Sequence, residues 1–190
     1  MYDKNTIRKD TLAKRRSLTA EQIEEKSRII TQKLFNMDEY KQSKLLMCYM
    51  DIKNEVRTGQ IISKSLEEGK KVALPVMVNI DGVKKIMPYL INNPEKDLVL
   101  GGFDILEPDI SRLEVAPFNE IDLVIMPGVA FGLNKHRIGY GKGYYDKFLP
   151  HINKEVPKIA LAFEVQLVDE IKPAGHDIVM DMIITESRVI

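Results

Sequence analysis

The first forty residues show a helical pattern of hydrophobic and polar positions. Residues 4–16 are charged and contain few helix-breaking residues, so they predict a first helix. The capping box at residues 19–22 predicts the start of a second helix, with Ile23, Ile30 and Leu34 along one face. This apolar stripe indicates that the second helix packs against a hydrophobic core.

Short apolar runs follow, separated by another helical segment. Residues 44–50 and 71–77 predict strands, and residues 58–68 predict a helix that Gly69 ends. Residues 84–90 predict one more strand. The strand, helix, strand order is typical of a βαβ unit, in which the two strands are parallel.

The C-terminal half returns to this order after an irregular stretch. Residues 92–119 are rich in Asn, Pro, Gly and Asp and predict a long connection with room for one short strand. The elements predicted after it are a buried strand from Ile121 that Pro127 and Gly128 stop, a helix from Tyr144 to about His151, a strand at 158–163, a short helix near 165–170 and a last strand at 182–186. We therefore expect a single α/β domain over residues 1–190, built around a mostly parallel sheet.

Residues 137–146, with the sequence Arg-Ile-Gly-Tyr-Gly-Lys-Gly-Tyr-Tyr-Asp, form the most distinctive segment of the chain. Glycine at every second position lets backbone N–H groups approach a ligand that a Cβ would obstruct. Arg137 and Lys142 add positive charge, and the spacing after the glycines predicts a helix N-terminus. The segment predicts an anion site at the carboxyl edge of the sheet. The alternative is a glycine-rich surface turn with solvated charges.

Asp146 lies in the first turn of that predicted helix. Hard oxygen ligands suit Mg²⁺, so its carboxylate could hold a divalent cation against bound phosphates. Alternatively, this carboxylate interacts only with the helix dipole.

Composition limits the classes of function. The 190 residues carry 28 lysines and arginines against 28 aspartates and glutamates, so no general basic excess indicates nucleic-acid binding. Cys48 is the single cysteine and is expected to be a buried thiol, which fits a reducing compartment. No apolar run approaches the roughly 20 residues that cross a bilayer, and the first helix shows no signal peptide. We therefore expect a cytoplasmic protein.

Several common catalytic motifs are absent from the sequence. It contains no P-loop, no dinucleotide-binding G-x-G-x-x-G after the first strand and no zinc motif. The three histidines, His136, His151 and His176, are widely separated and are expected near the surface rather than as catalytic bases. Any chemistry is therefore expected at the glycine-rich segment.

Two segments together carry a resemblance to a known family. Residues 127–131 (Pro-Gly-Val-Ala-Phe) lead by a fixed interval to residues 137–146, and this arrangement closely resembles the 5-formyltetrahydrofolate cyclo-ligases, also called 5,10-methenyltetrahydrofolate synthetases. Glu107 and Pro108 resemble part of the Arg-Glu-Pro segment of that family. The resemblance covers nearly the whole chain. It implies a three-layer α/β sandwich with a mostly parallel central sheet, like that of ribose-phosphate isomerases and CoA transferases.

The resemblance also implies roles for individual residues. ATP would contact Lys4, Asn5, Thr6, Ile7, Arg8, Arg137, Ile138, Gly139, Tyr140, Gly141, Lys142, Gly143, Tyr144 and Tyr145. The folate would contact Met50, Glu55, Tyr140, Gly141, Lys142, Gly143 and Tyr144. Lys142, Arg137 and Tyr144 would act in catalysis. Asp146 and Asp177 would bind Mg²⁺.

Without the resemblance, five of these residues have simpler explanations. Lys4 and Arg8, four apart on a helix, could form one solvated stripe, and Glu55 could belong to a surface ion pair. Met50 fits a core position at a strand end, and Asp177 fits a turn cap. Each of these explanations stays open from the sequence alone.

The sequence also departs from the family pattern at three positions. Gly132 follows the phenylalanine where the family often has aspartate, and Lys135 stands where it often has glycine. Leu106 replaces the arginine of the Arg-Glu-Pro segment. One hypothesis is that Lys135 supplies the charge that is lost.

The implied reaction is the ATP- and Mg²⁺-dependent conversion of 5-formyltetrahydrofolate, with or without a polyglutamate tail, to 5,10-methenyltetrahydrofolate with release of ADP and phosphate. We expect a monomer that binds this small-molecule substrate and has no nucleic-acid or membrane partner. Two alternatives remain: a sugar-phosphate isomerase-like enzyme on the same scaffold, and a non-catalytic nucleotide-binding regulator.

Overall fold

The computed structural model of the chain describes residues 3–101, 105–175 and 177–190. The elements of the first half are, in order, α1 (Lys4–Arg16), α2 (Ala20–Asn36), α3 (Asp38–Gln42), β1 (Leu45–Met47), α4 (Gly59–Glu67), β2 (Lys71–Ile80), β3 (Val83–Ile91), α5 (Pro94–Asp97) and β4 (Leu98–Leu100). The elements of the second half are β5 (Leu106–Pro108), β6 (Leu123–Met126), β7 (Ala130–Gly132), β8 (Arg137–Ile138), α6 (Tyr144–Phe148), β9 (Lys158–Leu161), β10 (Leu167–Val168) and β11 (Met182–Ile184). No helix among these described residues is long and apolar enough to cross a membrane.

The first two helices begin at side chains that satisfy their backbone N–H groups. The Asp3 carboxylate accepts hydrogen bonds from the backbone N–H groups of Asn5 and Thr6 at the start of α1. Thr19 and Gln22 form the predicted capping box of α2, each side chain bonding the other's backbone. Both helices lie where the sequence predicted them.

Six strands form the central sheet in the order β11-β9-β6-β1-β2-β3. Every neighbouring pair is parallel except β2 and β3, which form an antiparallel hairpin. This hairpin turns at Asp81 and Gly82, whose φ angles of 52° and 78° suit a tight turn between twisted strands. The predicted βαβ unit is β1, α4 and β2, and the prediction of a mostly parallel sheet is confirmed.

Helices cover both faces of the sheet. On one face, Leu46 of β1 packs in a cluster with Ile30 of α2 and Ile61 of α4. On the other face, Leu45 packs in a second cluster with Phe148 of α6. Successive strand residues point to opposite faces, so the continuous apolar run of β1 supplies both clusters. The result is the expected three-layer α/β sandwich.

The predicted helix near residues 165–170 is wrong. The chain instead forms a single 3₁₀ turn at Glu164–Gln166, followed by strand β10. Gln166 Nε2 donates to the carbonyl oxygens of Gly128 and Val129 at 2.9 and 3.0 Å, and β10 pairs in parallel with β7. These contacts with a distant segment hold the chain extended, and no local pattern contains them.

The strand expected from Ile121 forms as β6 and ends at Met126, directly before Pro127 and Gly128, so the predicted stop is confirmed. Strand β7 after this break joins a separate sheet in the order β10-β7-β8. The connection at residues 92–119 contains α5 and the antiparallel pair of β4 and β5, whereas one short strand was expected.

Candidate active site

A cleft of about 520 Å³ lies at the carboxyl edge of the central sheet. Its lining includes Tyr49 just after β1, Pro127 just after β6 and Pro75 within β2. In open α/β sheets, ligands bind at this edge because the parallel strands deliver their loops there. The glycine-rich segment 137–146 lines the same cleft.

The backbone of the glycine-rich segment has conformations that require glycine. Gly141 and Gly143 have φ angles of 94° and 65°, which other residues adopt only with strain. The Arg8 guanidinium lies 3.5 Å from the position a Cβ on Gly141 would take, and Arg8 Nε donates to the Gly139 carbonyl oxygen at 2.8 Å. Helix α1 therefore holds the loop in shape through Arg8. Helix α6, which follows the loop, has only five residues.

Arg137 is held rigidly beside the cleft. Its side chain is 6% exposed, and its Nη2 donates to Asp146 Oδ1 at 2.9 Å. Its guanidinium also lies over the Tyr145 ring, 5.5 Å from the ring centroid. Its buried Nε has no hydrogen-bond partner among the described residues. A buried N–H without a partner is costly, so this donor indicates a ligand acceptor.

Lys4 and Lys142 both line the cleft, but they differ in whether a carboxylate is paired with the ammonium group. Lys4 forms an ion pair with Asp177, which also accepts a hydrogen bond from the Ala174 backbone N–H at 2.8 Å. Lys142 is exposed and has no hydrogen bond or ion pair within the ranges the structure describes. The Lys142 ammonium group is therefore available to an anionic ligand, whereas Lys4 is neutralised by a carboxylate.

A buried polar network lies beside the cleft, and two of its members, Glu55 and Tyr140, line the cleft. Arg15 is 2% exposed and its Nη2 donates to the Tyr140 hydroxyl oxygen at 2.7 Å. The Tyr140 hydroxyl in turn donates to Glu55 Oε1 at 2.9 Å, and Arg15 Nη1 lies 3.8 Å from the same oxygen. Arg15 Nη1 also donates to the Gly128 carbonyl oxygen at 3.3 Å. This network joins helix α1, the loop after β1 and the glycine-rich segment.

Burial changes the ionisation of several groups near the cleft. It raises the pKa of the Glu55 carboxyl above its usual value, although a hydrogen bond from the Ile52 N–H and the charge of Arg15 act in the opposite direction. Burial also raises the pKa of the Tyr140 hydroxyl. Burial raises the pKa of the Cys48 thiol as well, so this buried cysteine is not a reactive thiolate.

Most of the residues that the resemblance assigned to ligands gather in this cleft. The assigned residues that line it are Lys4, Arg8, Met50, Glu55, Arg137, Ile138, Gly139, Tyr140, Gly141, Lys142, Gly143, Tyr144, Tyr145, Asp146 and Asp177. Three others, Asn5, Thr6 and Ile7, are not among its lining residues. Asn5 Oδ1 accepts from Arg8 Nη1 at 2.6 Å, the Thr6 hydroxyl bonds Asp3, and Ile7 packs with Ala130 and Ile138.

Asp146 and Asp177, the two carboxylates that the resemblance assigns to Mg²⁺, both line the cleft. The described residues contain no cluster of three or more acidic, histidine or cysteine side chains. Mg²⁺ in phosphoryl-transfer sites is, however, usually bound by one or two carboxylates together with substrate phosphates. Asp146 and Asp177 line one cleft, and Asp146 Oδ2 accepts no hydrogen bond within the described ranges. These residues fit such a site.

The departures from the family pattern have local explanations. A Cβ at Gly132 would lie 2.2 Å from Asn134 Oδ1, so glycine fits this strand end. Lys135 has a φ angle of 63°, a conformation that suits glycine, and its Nζ donates to the Asp181 carbonyl oxygen at 2.9 Å. Lys135 is not among the cleft-lining residues, so its charge does not replace one in the cleft. Leu106 does line the cleft.

Sequence reasoning missed Arg15 and the part played by the β2–β3 hairpin. Lys4, Arg8, Thr11 and Arg15 follow the i, i+4, i+7, i+11 spacing of one helix face, and Thr11 and Arg15 are buried. That spacing was a usable signal for Arg15. Residues of the hairpin, such as Ile86, line the cleft only through tertiary packing.

The fold and the cleft define an α/β protein whose cleft, at the carboxyl edge of the sheet, is lined by a glycine-rich loop that carries Arg137 and Lys142. Comparison with known proteins identifies the family: the model of the 5-formyltetrahydrofolate cyclo-ligase family matches residues 1–186. The chain therefore belongs to the 5-formyltetrahydrofolate cyclo-ligase family, and the resemblance noted from its motifs is confirmed.

Individual relatives agree with this assignment over nearly the whole chain. The 5-formyltetrahydrofolate cyclo-ligase of Haemophilus influenzae is 31% identical over 171 residues, which cover 90% of each chain. That of Escherichia coli (strain K12) is 27% identical over 177 residues, 93% of this chain and 96% of the relative. The solved 5,10-methenyltetrahydrofolate synthetase of Aquifex aeolicus is 33% identical, with a TM-score of 0.84 over 98% of this chain and 91% of that one.

Proposed function

We propose that the protein converts 5-formyltetrahydrofolate to 5,10-methenyltetrahydrofolate in an ATP-dependent reaction that releases ADP and phosphate. Family membership supports the reaction itself. The observation that carries the assignment of the site is the buried Arg137 Nε, which lacks a partner among the described residues and lies beside the exposed Lys142 in one cleft. Such a pair of cationic groups is suited to phosphate oxygens.

The reaction needs ATP because a formamide oxygen is a poor leaving group. The formyl oxygen of the substrate attacks the γ-phosphorus of ATP, the bond from this phosphorus to the bridging oxygen of ADP breaks, and an iminium phosphate forms. Nitrogen 10 then attacks the formyl carbon, the carbon–oxygen bond breaks, and phosphate leaves with the oxygen. Loss of the proton from nitrogen 10 completes the methenyl bridge. No protein nucleophile is required.

The glycine-rich side of the cleft acts on the phosphates. Phosphoryl transfer depends mainly on alignment and on neutralising charge that spreads over the transferred group. Lys142 is an exposed cation on the loop, and Arg137 is fixed by Asp146 and Tyr145, while its buried Nε–H has no partner among the described residues. The Lys142 ammonium group and the Arg137 Nε–H can therefore bind the developing negative charge without first giving up a hydrogen bond within the protein.

The part of the cleft that is lined by Met50, Glu55 and Tyr144 acts on the folate. Met50 and Tyr144 present apolar surface that can pack against the pterin ring. Glu55 is a buried acceptor in the lining, and its orientation is fixed by Arg15 and Tyr140. A carboxylate held in this way can accept hydrogen bonds from pterin N–H groups. The two parts of the cleft thus bring the formyl oxygen to the phosphate site.

We also propose that Asp146 and Asp177 hold Mg²⁺. When bound, this ion neutralises phosphate charge and thereby favours phosphoryl transfer. The two carboxylates are ion-paired with Arg137 and Lys4, so these cations keep the acidic side chains in place before ligands arrive.

One assay tests the proposed function. The purified protein is incubated with 5-formyltetrahydrofolate, ATP and Mg²⁺, and the methenyl product is followed by its near-ultraviolet absorbance. We expect product only when ATP is present, with one ADP formed per product. Product without ATP would contradict the mechanism. ATP binding without any product would instead indicate the non-catalytic regulator, and turnover of sugar phosphates would indicate the isomerase.

We further propose a cytoplasmic monomer without nucleic-acid or membrane partners. The formal net charge of zero and the buried Cys48 support this setting. Light scattering of the purified protein at several concentrations tests the oligomeric state, and a concentration-dependent doubling of mass would contradict the monomer.

A further inference from the structure

A second cavity lies next to the active-site cleft. This side groove has a volume of about 500 Å³ and is formed by the β2–β3 hairpin, helix α6 and Phe118. Ile86 and Tyr144 line both the cleft and the side groove. A ligand that passes Tyr144 from the cleft therefore enters the side groove.

The polar lining of the side groove is entirely cationic or neutral. Lys84 and Lys85 of β3 and Lys147 of α6 are exposed residues that line the groove, and His151 lines it as well. No aspartate or glutamate is among the described residues that line it. The side chains of these lysines form no hydrogen bond or ion pair with another described residue. Their charge is therefore available to an anionic ligand.

The rest of the lining is apolar. Val83, Phe118 and Phe148 contribute hydrocarbon surface beneath the lysines. A compact inorganic anion would use the lysines but not this surface. An extended ligand with carboxylates joined by methylene groups uses both.

We infer that the side groove binds the γ-glutamyl tail of the folate substrate. This inference rests on the proposed function, because that function supplies a ligand whose tail leaves the cleft. Each γ-linked glutamyl residue adds an α-carboxylate and a short methylene chain, which match the lysines and the apolar surface of the groove. Longer tails should therefore bind more tightly, in proportion to the carboxylates that reach lysines.

Equilibrium binding tests the inference without depending on turnover. Isothermal titration calorimetry in the absence of ATP compares 5-formyltetrahydrofolate carrying one glutamyl residue with the form carrying three. The groove variant is Lys84→Ala/Lys147→Ala. The matched control is Lys44→Ala/Lys154→Ala, which removes two exposed lysines that lie outside both cavities.

We expect the wild-type protein and the control to bind the triglutamate form about fivefold more tightly than the monoglutamate form, as modest exposed ion pairs allow. In the groove variant the two forms should bind within about twofold of each other. Raising the salt concentration from about 0.05 M to about 0.5 M should reduce the wild-type preference, because salt screens exposed charges.

The failures of the two proposals are distinguishable. Equal wild-type affinity for the two forms, or a triglutamate preference that survives in the groove variant, would overturn the groove assignment while leaving the proposed function intact. Failure of the wild-type protein to bind either form would overturn the proposed function, and the groove assignment with it.

Discussion

Two parts of the active site, the glycine-rich loop around Lys142 and the network of Arg15, Glu55 and Tyr140, are built in opposite ways. The glycine-rich segment 137–146 is continuous in sequence and presents the exposed Lys142 to the cleft. The network of Arg15, Glu55 and Tyr140 is assembled from three separate parts of the chain and is closed to solvent at Arg15 and Glu55. The Lys142 ammonium group stays available to ligands, whereas the charges of Arg15 and Glu55 are satisfied within the network.

Because of this difference, substitutions in the two parts should change different quantities: turnover and ligand binding in the loop, and the free energy of unfolding in the network. An exposed side chain without internal partners contributes little to folding, so its removal affects ligand binding and chemistry alone. A buried ion pair is different, because removing one partner leaves an uncompensated charge in the interior. Stability and turnover should therefore respond separately in the two parts of the active site.

The largest expected effect is that of Arg15→Met. Loss of this guanidinium leaves Glu55 buried without its cation and Tyr140 without a donor, which should cost about 3–5 kcal/mol of unfolding free energy. Urea denaturation measures it. The matched control is Arg16→Met at the exposed neighbouring position, expected to change stability by less than about 0.5 kcal/mol. Equal effects of the two substitutions would contradict a role for the network.

The loss in Arg15→Met should also depend on pH. Burial already raises the pKa of Glu55, and Arg15 opposes that rise. Without Arg15, the folded protein binds a proton at Glu55 more readily than the unfolded chain does. Stability therefore falls as pH rises from the pKa of the unfolded chain through the raised pKa of the folded state. The variant should be closer to wild type at about pH 5 than at about pH 8.

On the loop side, Lys142→Ala should lower kcat about 10²-fold, since it removes a cation that meets charge on the transferred phosphoryl group. Because Lys142 is exposed, the urea midpoint should stay unchanged. Steady-state kinetics with saturating 5-formyltetrahydrofolate measure the effect, with the exposed Lys154→Ala as control. Wild-type turnover in Lys142→Ala would remove this lysine from the mechanism.

The glycine-rich segment could be predicted from the sequence because its backbone conformation and its charges depend on residues that are neighbours along the chain. Alternating glycines, Arg137 and Lys142 predict both the backbone conformation and the charge, and the positive φ angles at Gly141 and Gly143 agree. Arg15 was harder to identify because its side-chain partners Glu55, Gly128 and Tyr140 lie far away along the chain. Its helical spacing from Arg8 identifies the face, but only the tertiary structure identifies the partners.

The same distinction applies to the fold. The capping box of α2 and the apolar runs of β1 and β6 are local signals, and these elements were predicted. The segment around Gln166 has a helix-compatible sequence, yet its side chain and backbone bond to residues near Gly128 and β7. Long-range hydrogen bonds override a weak local preference, so its strand could not be predicted from its own residues.

A smaller effect is expected within the buried network for Tyr140→Phe. The substitution removes a hydroxyl that accepts from Arg15 and donates to Glu55, leaving both groups short of one hydrogen bond. We expect a loss of about 1–2 kcal/mol of unfolding free energy. Tyr144→Phe is the matched control, because the Tyr144 hydroxyl makes no hydrogen bond within the described part of the chain. A comparable loss in the control would show that the network bonds are not responsible.

The smallest expected effect is a gain in stability, and it concerns Lys135, which lies just before the glycine-rich segment. Lys135 has a φ angle of 63°, so Lys135→Gly should relieve backbone strain and stabilise the protein by about 0.5–1 kcal/mol, even with loss of its exposed bond to the Asp181 carbonyl. Lys135→Ala keeps the strain and loses the bond, so it should be slightly destabilising. Urea denaturation of both variants separates the strain from the hydrogen bond.

The same two variants test whether Lys135 supplies charge to the cleft. Because Lys135 is not a lining residue, kcat and KM for ATP should stay within about twofold of wild type in both. A raised KM for ATP in both variants would place the Lys135 ammonium group near the phosphates. Residues 132–136, which precede the glycine-rich segment, would then belong with Lys142 to the part of the site that presents charge to ligands.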